Sequence, residues 1–494
     1  MLLSYLLLLL FGHFGACYGF HTSSEPNAKL VERDGIIYHQ FQDRSTNSTI
    51  EVVKNSGICE TTPGVNTYSG YFSVGEGMNM WFWFFEARNN PETAPLATWF
   101  NGGPGCSSMI GLFQENGPCQ FYDGDNEPRL NPYSWNEYAN MLYIDQPIGV
   151  GFSYGVDTVV STDTAAKYVW RLIQAFYSQF PEYKSREFAI WTESYGGHYG
   201  PGFADFVLKQ NLAIKQGKVS GEEINLVALG VNNGYTNAPD VYKSYIDYAL
   251  VNPYRPLITP EQAAGYYADY YAACLPALKE CPSPTGGDAA CITASAVCAE
   301  LIESPIASTG NFDVYDVRAP SRDPNPPKTY SKYLLRPDVV KAIGARSLYQ
   351  ECPTTAYALF SATGDGKAIQ TLPSYFFTQP NVSVDSRSYL QQLSDVVQFG
   401  VRTLMWAGDA DWICNWLGYK ETADKVSYSG HHEFAAGKLV EYSVNGAQKG
   451  TYKTVDNLSY LRVFEAGHEV PFYQPELALQ VFKQTMQGKP IFST

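Results

Sequence analysis

The chain has 494 residues, of which 45% are hydrophobic and 15% aromatic, so it can bury a large core and is not a disordered protein. Its formal net charge of −15 argues against binding to nucleic acid or to an anionic membrane surface. A chain of this length holds either one large α/β unit with insertions or several smaller domains. We expect neither nucleic acid nor a membrane among its partners.

The N-terminal residues 1–19 begin with a leucine-rich apolar run and continue with small residues. The segment is too short to span a membrane as a helix and is typical of a cleaved secretory signal; the alternative is a buried N-terminal helix. Residues 20–60 form a further N-terminal segment that could include a removed pro-segment. Export fits the sequons at Asn47, Asn381 and Asn457, where we predict glycosylation.

The ten cysteines fit an oxidising compartment. Loss of Cys17 with the signal leaves an odd number, so at least one thiol stays free. Cysteine and histidine residues are not spaced as metal ligands, so we expect disulfides and neither a metal ion nor a cofactor.

The order of apolar runs predicts the architecture. Two aromatic-rich runs, 68–74 and 78–87, are joined by a Gly-Glu-Gly turn and predict an antiparallel hairpin. Further runs typical of buried strands lie at 97–100, 141–144, 188–191, 224–231, 401–407 and 460–464. A helix after the second of these has Ser161 or Thr162 as N-cap and apolar positions Val169, Leu172, Ile173, Phe176 and Phe180. Alternating strands and helices predict a mostly parallel central sheet with helices on both faces.

The stretch from about 235 to 327 differs in composition from its surroundings. It is rich in Tyr and Ala and ends in a proline-rich run. We predict a helical insertion that lies over the sheet and walls a substrate cleft. Its cysteines are Cys274, Cys281, Cys291 and Cys298.

The residues from Glu193 to Tyr199 have the sequence Glu-Ser-Tyr-Gly-Gly-His-Tyr and directly follow the predicted strand 188–191. A serine on a sharp turn between a strand and a helix points its hydroxyl into a cleft, where a base can deprotonate it. Ser194 is therefore a candidate nucleophile. The alternative is an ordinary glycine-rich loop.

Polar residues follow three of the predicted strands: Ser194 follows one, Asp409 and Asp411 a second, and His468 a third. The order serine, aspartate, histidine is that of an α/β-hydrolase triad, in which the histidine takes the serine proton and the aspartate stabilises the imidazolium.

The loop 101–105, Asn-Gly-Gly-Pro-Gly, follows the predicted strand 97–100. Its backbone N–H groups, with that of Tyr195, could form an oxyanion hole. The alternative is a tight turn that binds no ligand.

Several motifs together resemble the serine carboxypeptidases, most closely extracellular fungal members, from about residue 68 to the C-terminus; they lie at 99–108, 145–154, 193–199, 407–415 and 467–471. The resemblance implies an α/β-hydrolase fold, with a catalytic domain over 61–494 that contains the insertion. It also implies an enzyme without a cofactor that acts on peptides and proteins with a free C-terminus.

The resemblance implies a role for each residue of the reaction centre. Ser194 is the nucleophile, His468 the base and Asp411 its acidic partner. The oxyanion donors are the backbone N–H groups of Gly103 and Tyr195. Two residues before the nucleophile the chain has Thr where most relatives have Gly, and a β-branched residue crowds that turn.

The resemblance assigns the substrate's terminal carboxylate to Asn101, Gly102, Glu115 and Glu193, which makes the protein an exopeptidase. Two glutamates that face a carboxylate repel it unless protons are shared, so we expect activity at acidic pH. Glu469 stands where several relatives carry Met. If it lines the leaving-residue pocket it favours Lys or Arg at the substrate C-terminus; the alternative is a neutralised or solvent-facing carboxyl.

The resemblance also concerns the cysteines. It implies the pairs Cys106–Cys352, Cys274–Cys298 and Cys281–Cys291. Cys59–Cys119 is the one pair that then remains, and Cys414 is left as a free thiol.

We therefore predict a secreted serine carboxypeptidase that works through an acyl-enzyme, with an acidic vacuole as the alternative location. A second interpretation keeps the triad but gives an esterase or acyltransferase of the same fold; the carboxylate-binding residues favour the peptidase. A third is a binding protein that keeps the fold without turnover, against which the complete triad argues.

Overall fold

The computed structural model of the chain describes residues 29–33, 35–43, 48–122, 124–281, 288–321, 326–362 and 385–494. The predicted signal segment and the sequons at Asn47 and Asn381 lie outside these residues. The strands are Lys29–Arg33, Ile36–Asp43, Ser48–Lys54, Thr67–Gly75, Met78–Phe85, Leu96–Phe100, Cys119–Gln120, Arg129–Leu130, Asn140–Ile144, Tyr154–Gly155, Phe188–Glu193, Leu226–Asn232, Arg402–Gly408, Val440–Val444, Ala447–Val455 and Leu458–Val463.

The α-helices are Thr162–Gln179, Gly196–Lys215, Ala238–Leu250, Pro260–Asp269, Leu275–Lys279, Asp288–Cys298, Ser304–Thr309, Thr329–Tyr333, Pro337–Ile343, Thr354–Ala362, Leu390–Gln398, Trp416–Asp424, His431–Ala436, Val470–Tyr473 and Pro475–Met486. Single wider or tighter helical turns are Gly111–Glu115, Trp135–Glu137, Pro181–Tyr183, Tyr270–Cys274 and Ala299–Glu303.

Fourteen of the described strands form one large sheet whose centre is parallel, and Cys119–Gln120 and Arg129–Leu130 pair with each other in a separate sheet. The central strands, in spatial order and each parallel to its neighbour, are Asn140–Ile144, Leu96–Phe100, Phe188–Glu193, Leu226–Asn232, Arg402–Gly408 and Leu458–Val463. Both flanks are antiparallel, because short turns there join strands that are consecutive in the chain. The prediction of a mostly parallel sheet is confirmed for its centre.

Strands of the N-terminal segment extend one edge of the sheet. The hairpin Lys29–Arg33 and Ile36–Asp43 continues through Ser48–Lys54 to the strand Thr67–Gly75. Glu51, on the strand Ser48–Lys54, stabilises this edge. Its carboxylate accepts hydrogen bonds from Arg33 and Gln40, one on each strand of the hairpin, and also contacts Arg346. The sequence pattern did not predict these strands. The division between an N-terminal segment, residues 20–60, and the catalytic domain stays a prediction.

The strand Met78–Phe85 shows how the sheet separates two cores. Phe82 and Phe84 belong to the apolar cluster on one face, whereas Trp81 and Trp83 belong to the cluster on the other. Successive side chains of a strand point to opposite faces, so a strand with a core on each side is apolar throughout. Helices therefore cover both faces, as predicted.

The helix Thr162–Gln179 begins where the sequence predicts it. Of the two candidate N-caps, Ser161 takes the role, and its hydroxyl accepts a hydrogen bond from the N–H of Thr164 at 3.2 Å. The apolar stripe of this helix is buried against the sheet.

The insertion is helical and carries two disulfides, Cys274–Cys298 and Cys281–Cys291. Its stretch Ala289–Thr309 is long and apolar enough to cross a membrane by length and composition alone, but nearly half of it is buried inside the protein. We interpret this stretch as the core helix of the insertion, which two disulfides fasten to its neighbours.

Two further disulfides lie outside the insertion, Cys59–Cys119 and Cys106–Cys352, so that all four pairs are those expected from the sequence. Cys414 is a free and buried thiol.

The side chain of Asn457 has structural partners. Its Nδ2 donates hydrogen bonds to the carbonyls of Val397 at 2.9 Å and Val401 at 2.7 Å. A glycan would be attached to that same nitrogen, so this geometry disfavours glycosylation at the third predicted sequon.

A tryptophan cluster packs under the centre of the sheet. The Trp135 ring lies 4.2 Å from that of Phe482 and 4.9 Å from that of Trp191. Trp191 fits because its neighbour on the adjacent strand is Gly230, where an added Cβ would lie 2.0 Å from the indole ring.

We expect Gly230→Ala to lower the free energy of unfolding by about 2 kcal/mol or more, because neither the strand nor the enclosed indole can move aside. Gly265→Ala is the matched control, since this exposed helical glycine has no neighbour within 4 Å of an added Cβ. There alanine should be neutral or stabilise by about 1 kcal/mol. Denaturant unfolding measures both, and equal effects of the two substitutions would contradict the packing argument.

Candidate active site

Ser194 occupies a strained turn between the strand Phe188–Glu193 and the helix Gly196–Lys215. Its φ is +63°, which is uncommon for a residue with a side chain and costs about 1–3 kcal/mol. The turn is held on both sides, because the Ser194 N–H donates to the Asn232 carbonyl at 3.0 Å and its own carbonyl accepts from Tyr235 at 2.8 Å. This is the nucleophile-elbow geometry that the sequence predicts.

Thr192 fits this turn although it is β-branched. Its hydroxyl donates to the Gly196 carbonyl at 2.9 Å. A Cβ at Gly196 would lie 2.5 Å from the Cβ of Thr192, and one at Gly200 would lie 2.9 Å from its hydroxyl. Glycines in the first turns of the helix therefore supply the space that the β-branched side chain of Thr192 needs.

His468 and Asp411 form a buried pair. The imidazole Nδ1 lies 2.8 Å from Asp411 Oδ2. Asp411 also accepts hydrogen bonds from Asn233 Nδ2 at 2.7 Å and from the Ile413 N–H at 3.0 Å. Asp409, the other candidate, instead pairs with the Arg462 guanidinium at 2.9 Å. The structure thus places Asp411 and not Asp409 beside the histidine.

Cys414 lies at the same centre. One side-chain atom from each of Asp411, Cys414 and His468 falls within 4.8 Å of the others. The thiol is also within hydrogen-bonding reach of the Ser194 side chain. Burial, followed by the charges of Asp411 and Glu193, raises the pKa of Cys414 well above its usual value, so the thiol stays protonated.

The loop after Leu96–Phe100 lies directly against the nucleophile turn. An added Cβ at Gly102 would be 2.4 Å from the Tyr195 nitrogen and 2.8 Å from Ser194 Cβ. Gly103 has a φ of +107°, which a residue with a side chain rarely adopts. The two stretches that carry the predicted oxyanion donors are therefore packed backbone against backbone.

Asp145 anchors the same loop from behind. It is fully buried and accepts hydrogen bonds from the Ser107 hydroxyl at 2.6 Å, the Ser108 N–H at 3.0 Å and the Phe152 N–H at 2.9 Å. Burial raises the pKa of Asp145 to about 7, although these bonds oppose the shift. Sequence reasoning found the motif 145–154 but gave this residue no role.

Asn101, Glu115 and Glu193 form a buried polar cluster next to the triad. Asn101 Nδ2 donates to Glu115 Oε1 at 3.1 Å and to Glu193 Oε1 at 3.2 Å. Its Oδ1 accepts from Trp99 Nε1 at 2.8 Å, which fixes the orientation of the amide. The structure thus brings together the residues that the resemblance assigns to a terminal carboxylate.

The surroundings of this cluster favour the protonated form of its carboxyl groups. Burial, followed by the charges of Glu193 and Glu469, raises the pKa of Glu115 well above its usual value. Burial likewise raises the pKa of Glu193, and burial with the Glu193 charge raises that of the neighbouring Glu469 well above its usual value. Like charges held close in a buried site repel one another, so sharing of protons among the three groups is favoured.

The glutamate cluster also acts on the base. His468 Nε2 lies 4.0 Å from Glu193 Oε1. Burial lowers the pKa of His468, but the charges of Asp411, Glu193 and Glu469 outweigh it and raise the pKa to about 9. A proton on Glu193 or Glu469 removes one of these charges and lets the imidazole lose its own proton more easily.

Sequence reasoning missed three residues that hold this site in place. Asn232 Nδ2 donates to Glu193 Oε2 at 3.0 Å and to the His468 carbonyl at 2.7 Å. The Tyr315 carbonyl accepts from the His468 N–H at 2.9 Å, and its ring lies 5.0 Å from the imidazole. Asn232 and Asn233 directly follow the predicted strand 224–231, and this position after a strand was the available signal.

Comparison with known proteins identifies the family. A family model described as serine carboxypeptidase matches residues 57–488. The chain belongs to the serine carboxypeptidase family. Carboxypeptidase S1 of Penicillium janthinellum is 60% identical to this chain over 442 residues, which cover 90% of this chain and 100% of that protein. Carboxypeptidase Y of Schizosaccharomyces pombe is 35% identical over 434 residues, which cover 86% of this chain and 41% of that protein.

A solved structure supports the fold of this serine carboxypeptidase. The crystal structure of a prohormone-processing carboxypeptidase from Saccharomyces cerevisiae matches it with a TM-score of 0.67 and 22% identity, covering 87% of this chain and 94% of that chain. The family model and the named relatives confirm the predicted family and the serine-type carboxypeptidase activity, and the structural match confirms the predicted fold class.

We expect Gly102→Ala to lower kcat/KM by about a hundredfold or more, the size of an oxyanion-hole defect, because the new methyl group would push the loop away from Tyr195. Gly102 is buried, so the melting temperature should fall as well, and hydrolysis is compared at a temperature where both proteins are folded. Peptide hydrolysis and thermal unfolding measure the two effects, with Gly265→Ala as control. Unchanged hydrolysis would show that the close approach has no part in the reaction.

Proposed function

We propose that this carboxypeptidase releases single residues from the C-termini of peptides and proteins through an acyl-enzyme. Ser194 attacks the carbonyl of the last peptide bond while His468 takes its proton and Asp411 stabilises the imidazolium. The N–H groups of Gly103 and Tyr195 bind the oxyanion. The imidazolium then protonates the leaving amine, and water, deprotonated by the same imidazole, releases the acyl group.

The short distance between the base and the glutamate cluster carries this proposal. His468 Nε2 lies 4.0 Å from Glu193 Oε1. A substrate whose terminal carboxylate is bound by the cluster would therefore present its last peptide bond to the base, with one residue between that bond and the carboxylate. Asn101 and the backbone of Gly102 complete the binding site, and the protons on Glu115 and Glu193 remove the repulsion between like charges. A chain that continues beyond this point would lack the free carboxylate that the cluster binds, which favours an exopeptidase.

The proposed setting is an acidic compartment reached by export. Four disulfides among the described residues support folding in an oxidising environment. Residues 1–19 would be removed as the signal, and the mature catalytic domain would lie over 61–494. Release outside the cell and delivery to an acidic vacuole are both compatible with glutamates that must hold protons.

The test is the release of free amino acid from N-blocked dipeptides by the purified protein at about pH 5, where the cluster is protonated. Ser194→Ala should abolish release, because it removes the hydroxyl that forms the acyl-enzyme in the proposed reaction. A C-terminally amidated dipeptide should react much more weakly, because it lacks the carboxylate that the cluster binds.

Two outcomes would contradict the proposal. Equal hydrolysis of acid and amide would remove the carboxylate site. Cleavage of esters without any release from dipeptides would shift the activity to that of an esterase or acyltransferase.

We expect KM for free-acid peptides to rise between about pH 5 and neutrality. A carboxyl with a raised pKa keeps its proton below that pKa and loses it as the pH rises through it, so Glu115 and Glu193 become repulsive toward the substrate carboxylate. Glu115→Gln should flatten the rise, because an amide donates a hydrogen bond at every pH. Steady-state kinetics with an ester that lacks a carboxylate is the control; a KM that is equal or lower at neutral pH would argue against the carboxylate site.

We further propose that Glu469 contacts the side chain of the leaving residue and favours Lys or Arg there. Its Oε2 atom is buried without a hydrogen-bond partner among the described residues, and its pKa responds to the charge of Glu193. Glu469→Gln should therefore lower the ratio of Arg to Leu release, measured on dipeptides that differ only in the last residue. An unchanged ratio would mean that this carboxyl does not contact the leaving side chain.

A further inference from the structure

Asn232 joins three parts of the reaction centre. It is the last residue of the strand Leu226–Asn232 and is completely buried. Its backbone carbonyl accepts the hydrogen bond from the Ser194 N–H. Its side-chain nitrogen donates to Glu193 Oε2 at 3.0 Å and to the His468 carbonyl at 2.7 Å. One residue therefore contacts the nucleophile turn, the glutamate cluster and the backbone of the catalytic base.

The orientation of the Asn232 amide is fixed by the groups that it faces. The His468 carbonyl can only accept a hydrogen bond, so the amide nitrogen and not the oxygen must point at it. The same nitrogen then faces Glu193 Oε2, which acts as an acceptor. The Oδ1 atom of Asn232 is buried without a hydrogen-bond partner among the described residues. Leaving that oxygen unpaired costs free energy, so the two donated bonds account for an amide at this position.

Asn101 holds the other oxygen of Glu193 in the same way. The Asn101 oxygen accepts from the Gly111 N–H at 2.8 Å, so its nitrogen must face the glutamates. Both oxygens of Glu193 thus accept hydrogen bonds from amides, one from Asn101 at 3.2 Å and one from Asn232. In the described part of the chain Glu115 accepts from an amide only at Oε1. Of the two glutamates, Glu193 is therefore the better placed to be ionised.

The pKa directions agree with this difference. Burial has the largest effect on both glutamates and raises both pKa values. For Glu193 the charge of His468 and several hydrogen bonds, among them the one from Asn232, oppose the rise. For Glu115 the charges of Glu193 and Glu469 add to the rise. The titratable groups that face Glu193 are Glu115, Glu469, His468, Cys414 and Tyr315.

We propose that Asn232 is a positioning residue that couples the glutamate cluster to the catalytic base, because one amide holds Glu193 as a hydrogen-bond acceptor and anchors the backbone of His468. Its effect on substrate binding rests on the proposed function, in which the cluster binds the terminal carboxylate. Its effect on the base does not. Through Glu193 the amide acts both on the pH at which the cluster stops accepting a carboxylate and on the readiness of the imidazole to take a proton.

Asn232→Ala removes both donated bonds. Glu193 then keeps its proton to higher pH, so the rise of KM for free-acid peptides should move to higher pH by about one unit, the size of one hydrogen bond to a charged group. With the Glu193 charge neutralised, His468 becomes a weaker base. The acid limb of kcat/KM for an ester that lacks a carboxylate should therefore move to lower pH. Steady-state kinetics as a function of pH measures both shifts.

Asn232→Asp keeps the shape of the side chain and tests the donated bonds alone. A protonated aspartic acid can donate one of the two bonds, whereas the ionised form can donate neither. The kcat/KM of this variant, relative to that of the wild type, should therefore fall at least about tenfold between about pH 5 and neutrality. It should recover when the enzyme is returned to acid. This variant decides the matter if Asn232→Ala does not fold.

Leu229→Ala is the matched control for a purely structural role. Leu229 lies on the same strand and is completely buried, but it belongs to the apolar core. Its substitution should lower the melting temperature and leave both pH profiles unchanged. Asn232 variants whose pH profiles match those of the wild type, or shift no more than those of Leu229→Ala, would overturn the coupling.

The two substrates separate this inference from the function on which it partly rests. A shifted ester profile in Asn232→Ala supports the role of Asn232 toward His468 whatever the cluster binds. If KM of the wild type for free-acid peptides does not depend on pH, the proposed carboxylate site fails, and the ester profile still tests the coupling to the base.

Discussion

The close approach of two backbone stretches organises this molecule. At Gly102 the loop after a central strand touches the nucleophile turn with no space for a Cβ, and the strained φ of Ser194 is kept by hydrogen bonds from the neighbouring strand. The residue before Gly102 carries the amide of the proposed carboxylate site, and the residue after it carries a proposed oxyanion donor. In the proposed function, binding and reaction therefore depend on the same contact, which Asp145 and the Cys106–Cys352 disulfide support from behind.

Two requirements on protons meet at this contact. In the proposed function the imidazole must be neutral to accept the serine proton, whereas the glutamates must hold protons to accept a carboxylate. Acidic pH protonates the glutamates, as the second requirement demands, but it ordinarily protonates the imidazole as well and so violates the first. Here Glu193 belongs to both systems, because its charge raises the pKa of His468 and its proton removes that charge. A protonated cluster thus leaves a weaker and more readily neutral base, so the two requirements conflict less than they would at separated sites.

The sequence predicted the parts of the fold that depend on local pattern. The central strands are continuous apolar runs, and polar residues at their ends marked Ser194, Asp411 and His468. The N-terminal strands were not predicted. Lys29–Arg33, for example, is an exposed edge strand without alternating apolar residues. The pairing of Asp411 with the histidine came from family resemblance, since the residues alone left two aspartates open.

Other features depend on contacts between segments that are remote in sequence. Asn232 supports the site through partners that lie 39 and 236 residues away, which no local pattern reveals. The sequon at Asn457 is a three-residue pattern, and it carries no information about the two carbonyls that bind its amide. Thr192 appeared to conflict with the nucleophile turn, and the compensating glycines were recognisable only once the helix was in place.

The disulfide between Cys106 and Cys352 has a consequence for biosynthesis. The two cysteines are 246 residues apart, with the whole insertion between them. Cys106 leaves the ribosome long before Cys352. During that time the loop that contacts the nucleophile turn has no disulfide to hold it. The bond requires an oxidant and a chain that extends past the insertion to Cys352. Asp411 and His468 follow Cys352 in the sequence, so the disulfide can form before the last residues of the reaction centre have been made.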